Sequence, residues 1–162
     1  ARAGTLNLLV GGDATVLQTA QKVLESFSES ITYVGPTGSG HLMKLLHNTV
    51  SIGMVALLGE VAAHAAQAGL SAELFIDVLT KGGGGGAALQ RISPYLLTGD
   101  AQNMAFTINN AAKDLHYYQM AAEAAGASHQ IAASIANTLQ EITQEGSGQA
   151  YLPELVTMLQ KT

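Results

Sequence analysis

Apolar positions in this chain follow two different periods, and the change between them comes early. Thr5 to Val10 (TLNLLV) is a short continuous apolar run closed by Gly11, Gly12 and Asp13, which predicts a buried strand followed by a turn. Asp13 then caps a predicted helix from Ala14 to about Ser28, where Val16, Leu17, Ala20, Val23, Leu24 and Phe27 recur at helical spacing. Ile31 to Val34 predicts a second strand. Strand, helix, strand is the unit of a parallel sheet, but two strands do not make a stable sheet alone. Residues 1–36 therefore read as the end of an α/β domain. The chain opens on Ala1 without Met, inside a strand-like run, and we expect it to be part of a longer protein.

From Gly40 onward nothing predicts strand. A helix is expected from about Ser39 to Ala68, stopped by Gly69, and Ser71 opens a second, Ala72 to Thr80. Lys81 and the run Gly82 to Gly86 interrupt the chain; the simplest reading of the glycines is a flexible loop. Helical signals resume from Ala87 to Ser93, before Pro94. Thr107 opens a helix of roughly twenty residues ending at Gly126, and Ser128 opens another, His129 to about Glu145. Pro153 starts a last short helix to Gln160. Residues 37–162 are thus expected to form an all-α domain reached by one long helix. That helix is apolar on every side, as expected at the centre of a bundle or in a subunit interface. Its most apolar stretch, Leu45 to Gly59, contains His47 and Asn48 and meets Glu60, and reads as too short and interrupted to span a membrane.

Composition narrows the function classes. With 48% hydrophobic and 12% charged residues, the 162-residue chain is too apolar for a disordered segment. Seven basic residues against twelve acidic ones, with no basic run, argue against a nucleic-acid surface. The absence of Cys excludes disulfides and thiolate metal sites, and the five histidines show no metal-ligand spacing. No signal peptide is recognisable, and a cytoplasmic setting is expected.

The candidate chemistry lies in two places. Gly35 to Asn48 (GPTGSGHLMKLLHN) is a glycine-rich entry into the long helix. It is neither a P-loop, since His41 follows Gly40, nor a dinucleotide fingerprint, since the spacing is G-x-x-G-x-G. Its glycines would still let a substrate approach the backbone N–H groups. Lys44 and Asn48, four apart, project from one helix face. A lysine on an apolar helix is a candidate general acid/base if burial lowers its pKa, and Asn48 offers a donor and an acceptor. The plain alternative is a surface lysine beside an amide. The second place is AFTINNAAKDLHYY, where Phe106, Asn109, Asn110 and Lys113 are spaced to share one helical face and Asp114 follows. A solvated helix face is the alternative there.

Together these motifs resemble the β-hydroxyacid dehydrogenases, the family of 3-hydroxyisobutyrate dehydrogenase and tartronate semialdehyde reductase. Ala3-Gly4-Thr5-Leu6 and Val10-Gly11-Gly12-Asp13 resemble its late Rossmann strand and turn. Gly35-Pro36-x-Gly38-x-Gly40-x-x-x-Lys44-x-x-x-Asn48 resembles its catalytic signature, and Phe106 with Lys113-Asp114-Leu115 its F-x(6)-K-D-L stretch. The resemblance implies a mainly α chain: the all-α C-terminal domain of a 6-phosphogluconate-dehydrogenase-like fold, preceded by the last strands of a Rossmann domain. It further implies an NAD- or NADP-dependent oxidoreductase interconverting a small β-hydroxy acid and its semialdehyde. Lys44 would be the acid/base, and Gly38 and Asn48 would bind a small carboxylate substrate. Lys113 would reach the cofactor, supported by Phe106 and Asp114. The G-x-G-x-x-G loop is absent from these residues, so the main cofactor site is expected outside the chain, which alone would be inactive. A homo-oligomer built through the helical domain is expected. The alternatives are an imine reductase, which typically lacks the lysine at position 44, and a non-catalytic helical dimerisation module.

Overall fold

The computed structural model describes residues 5–160; Ala3 and Gly4, named above in the strand motif, lie outside them. The chain forms two compact units that divide between His47 and Asn48.

The first unit holds β1 (Leu6–Gly11), α1 (Ala14–Glu25), β2 (Ser28–Gly35) and the start of α2 (Ser39–Gln67). The strands pair in parallel, with Leu8 opposite Ile31 and Val10 opposite Tyr33. The Asp13 carboxylate accepts the Thr15 and Val16 backbone N–H groups at 2.7 and 3.2 Å, capping α1. The helix stops earlier than its apolar spacing suggests. Ser26 and Ser28 hydroxyls donate to the Val23 and Leu24 carbonyls, satisfying the last turn. β2 correspondingly begins before Ile31. Its first residues are polar, but backbone pairing with β1 recruits them: Leu6 faces Ser28, and the Ser30 hydroxyl donates to Asn7 Oδ1. The end of β1 meets the start of α2 closely enough that both contact residues are glycine. A Cβ on Gly40 would lie 2.7 Å from the Leu9 carbonyl oxygen, and one on Gly11 would lie 2.7 Å from Gly40 N.

The second unit is helical. The remainder of α2 is followed by α3 (Ala72–Lys81), α4 (Ala87–Thr98), α5 (Ile108–Ala124), α6 (Gln130–Ile142) and α7 (Leu155–Leu159). Ile52, Val55, Ile92, Ile108, Leu115 and Leu139 form the centre of its core with Leu152 and Leu155. α4 runs through Pro94 rather than stopping before it. The Ser93 hydroxyl donates to the Leu89 carbonyl, and burial of Ile92 with packing of Tyr95 and Leu96 on the core outweighs the lost N–H. His129, not Ser128, occupies the cap position of α6, and a π-type turn at Thr143–Ser147 ends the segment. Beyond Gly40 there is one strand-like contact among the described residues. Thr107 bridges Tyr151, with Ile108 N–H donating to the Ala150 carbonyl at 2.9 Å and Leu152 N–H to Phe106 at 2.8 Å.

α2 is longer than the Leu45–Gly59 stretch on which the membrane expectation rested. At 29 residues it is long and apolar enough, by length and composition, to cross a membrane. Its interior serves another purpose: Ile52, Val55, Ala56, Gly59, Ala62 and Ala63 are buried in the helical core of the second unit.

Candidate functional site

In the first unit, the glycine-rich entry becomes a tight turn into α2. Gly38 is exposed at φ 96°, a backbone conformation strained for any residue with a side chain, and its carbonyl accepts the Leu42 N–H at 3.1 Å. Lys44 follows in the second helical turn and is exposed, not buried as the surrounding apolar sequence suggests.

In the second unit, Asn48, Lys113 and Asp114 come together. Asp114 is 6% exposed, the buried charged side chain among the described residues. Its Oδ2 accepts a hydrogen bond from Asn48 Nδ2 at 2.7 Å, and Lys113 Nζ lies 3.1 Å from Oδ1. A buried carboxylate costs several kcal/mol unless paired and hydrogen-bonded, so each oxygen having its own partner explains how α5 carries it. The Lys113 side chain is half exposed, leaving its ammonium at the surface. The surface ammonium of Lys113 suits an anionic group such as a phosphate or carboxylate and so fits a dinucleotide.

The single face formed by Phe106, Asn109, Asn110 and Lys113 does not materialise. Phe106 precedes the Thr107 cap of α5, half-buried against the core. Asn109 turns to Gly148, where its amide fills the space a Cβ would need. The Asn48–Asp114 bond, across 66 positions, had no local signature in the sequence.

A second feature was legible only as an apolar helix. Val50, Met54, Leu57 and Val61 expose 44–62% of their surface along α2 at spacings of four, three and four, and Ile131 of α6 is 83% exposed. Three of these, Val50, Met54 and Leu57, line with Ile131 a cavity of about 860 Å³ bounded by α2, α6 and α7. Glu60 is the one Asp, Glu, Lys or Arg in its lining.

Comparison with known proteins gives this geometry its family. The model for the NAD-binding domain of NADP-dependent 3-hydroxyisobutyrate dehydrogenase matches residues 38–159, and the chain belongs to that family. An uncharacterised oxidoreductase of Synechocystis is 36% identical over 121 residues, 74% of this chain and 41% of the relative. The NAD-dependent L-serine dehydrogenase of Pseudomonas aeruginosa is 31% identical over 136 residues, 79% of this chain and 45% of the relative. The solved structure of Mycobacterium tuberculosis 3-hydroxyisobutyrate dehydrogenase with L-serine superposes with a TM-score of 0.87 at 27% identity, covering 98% of this chain and 56% of that one. The chain thus spans less than half the length of the two curated relatives.

These findings correct the expected fold class. The resemblance implied the all-α C-terminal domain of a 6-phosphogluconate-dehydrogenase-like fold, preceded by the last strands of a Rossmann domain. The family match over 38–159 makes the helical segment itself the NAD(P)-binding domain, and the solved relative aligns with the strands as well as the helices. The physical reason for the difference is that a sequence signals dinucleotide binding locally through the glycine loop between strand and helix. A cofactor surface made by helices leaves no such local pattern.

Proposed function

We propose that the whole protein is an NAD(P)-dependent oxidoreductase interconverting a small β-hydroxy acid and its semialdehyde, with Lys44 as the general acid/base. The observation that carries this reading is the Asn48–Asp114–Lys113 cluster in a chain of the 3-hydroxyisobutyrate dehydrogenase NAD-binding family. A bound nicotinamide supplies the hydride acceptor or donor. Lys44 takes the hydroxyl proton as the β-hydroxy acid is oxidised and returns it in reduction; because the side chain is exposed, this role rests on its place in the Gly35–Asn48 motif and not on burial. Asn48, one turn further along α2 on the same face, holds the substrate through its amide. Gly38 keeps the approach to α2 clear of side chains. Lys113 supplies positive charge toward the cofactor, and Phe106, just before the α5 cap, and Asp114, beside Lys113 on α5, support it.

The test is steady-state kinetics on the full-length protein with L-serine or 3-hydroxyisobutyrate and either nucleotide. Lys44→Ala should lower kcat by about 10²–10⁴-fold, the usual worth of a positioned proton-transfer group, with nucleotide affinity within threefold or so of wild type. A kcat within about threefold of wild type would remove Lys44 from the chemistry.

The apolar stripe Val50–Met54–Leu57–Val61 supports a second element of the reading, a homo-oligomer. Its four-three-four spacing is that of a helix–helix seam, and a nearly uncharged lining favours a partner equally apolar, which a second copy of this chain supplies about a twofold axis.

A further inference from the structure

The buried carboxylate of Asp114 does more than neutralise Lys113. It receives the Asn48 Nδ2 hydrogen at 2.7 Å on one oxygen while Lys113 Nζ lies 3.1 Å from the other. An asparagine amide is nearly symmetric in shape, so packing alone does not determine which end is nitrogen and which is oxygen. A charged acceptor does. Reversing the Asn48 amide would set its carbonyl oxygen against a carboxylate oxygen, acceptor against acceptor, beside an Asp114 side chain that is itself only 6% exposed.

We infer that Asp114 is a positioning residue that fixes the polarity of the Asn48 amide, and through it the orientation in which a small hydroxy acid is bound. This rests on the reading of Asn48 as the substrate-holding residue. If the amide turns over, donor and acceptor exchange places, and a substrate held through Asn48 meets the wrong partner. Lys113 shares the same carboxylate, so its position is tied to that of Asn48, coupling two parts of the site through one buried group on α5. Asp114 itself touches neither substrate nor cofactor in this role.

A double-mutant cycle on the full-length protein separates this from a purely structural role. Asp114→Asn keeps the side chain's shape but replaces one acceptor oxygen by a donor NH₂ and removes the charge. It should raise KM for whichever of L-serine and 3-hydroxyisobutyrate the wild type turns over by about 10-fold, with kcat changed less than about threefold. In an Asn48→Ala background the same substitution should move KM by less than about twofold, because the residue it acts through is gone. If Asp114→Asn does not yield folded protein, Asp114→Glu takes its place in the cycle, keeping the charge while displacing the carboxylate by one methylene. Equal KM effects in both backgrounds, or no KM effect in the first, would overturn the inference while leaving the oxidoreductase reading standing. A direct titration of the same hydroxy acid, without turnover, should show the same background dependence in its Kd. A wild type that oxidises neither probe with NAD or NADP would overturn both readings.

Discussion

Replacing Gly40 by alanine tests whether α2, and with it Lys44, is held against β1 by backbone contact. The added Cβ would lie 2.7 Å from the Leu9 carbonyl oxygen and 3.1 Å from Gly11 N, both main-chain atoms. Relaxing the first contact to an ordinary 3.4 Å, from 2.7 Å, needs a backbone shift of about 0.7 Å. Such a shift strains the Gly12 N–H to Gly35 bond (2.9 Å) and the Ser39 N–H to Pro36 bond (3.0 Å) in the same segment. Overpacking costs about 1–3 kcal/mol, and because both close contacts are main-chain atoms the upper part of that range applies, about 2–3 kcal/mol. Alanine in a helix recovers roughly 0.5–1 kcal/mol of backbone entropy relative to glycine, so the net loss should be about 1–2.5 kcal/mol. At this chain length that lowers Tm by roughly 2–10 °C. The opposite sign is expected at Gly59, in the interior of the same helix. There a Cβ meets only Leu155 and Val156 side chains at 3.6–3.8 Å, so the entropy gain stands unopposed and Gly59→Ala should be stabilising. Urea titration followed by circular dichroism measures both. A neutral or stabilised Gly40→Ala, or a Gly59→Ala destabilised by more than about 1 kcal/mol, would show that these contacts do not control the packing of α2. Because Gly11 faces the same gap, Gly11→Ala combined with Gly40→Ala should cost less than the sum of the two.

The second and third predictions concern the α1 cap and the apolar stripe. Hydrogen bonds from the Val16 and then the Thr15 backbone N–H groups hold the Asp13 carboxyl below its ordinary value. Its contribution to stability is therefore complete above the unfolded value, near 3.9, and is lost as pH falls through the lowered folded value. Asp13→Asn should flatten that acid limb of the Tm–pH curve; an unchanged limb would assign the loss to other carboxylates. Leu57→Glu, at a position 62% exposed, should convert an oligomer to a monomer in light scattering with little change in Tm. A wild-type chain that is monomeric at tens of micromolar would dispose of the second-copy reading.

Local signals in the sequence determined much of the backbone. The Asp13, Ser71 and Thr107 caps stand where their residue types predict, each accepting a backbone N–H of the first helical turn. Glycine ends α2 and α5 as read, because a helix stop depends on one residue's own conformational range. The change from strand to helix periodicity likewise located the two strands and the long helix. Tertiary structure decided the rest. It started β2 at polar Ser28, because strand pairing uses the backbone and ignores side-chain polarity. It carried α4 through Pro94, because burial of Ile92 offsets one missing N–H. It left Lys44 exposed on the strongly apolar α2 and buried Asp114 on the more polar α5, the reverse of what each helix's composition suggests. The pairing of Asn48 with Asp114 belongs to the same class. Spacing within a helix reports which residues share a face, but which faces meet depends on the packing of elements far apart in the chain, and no local pattern encodes it.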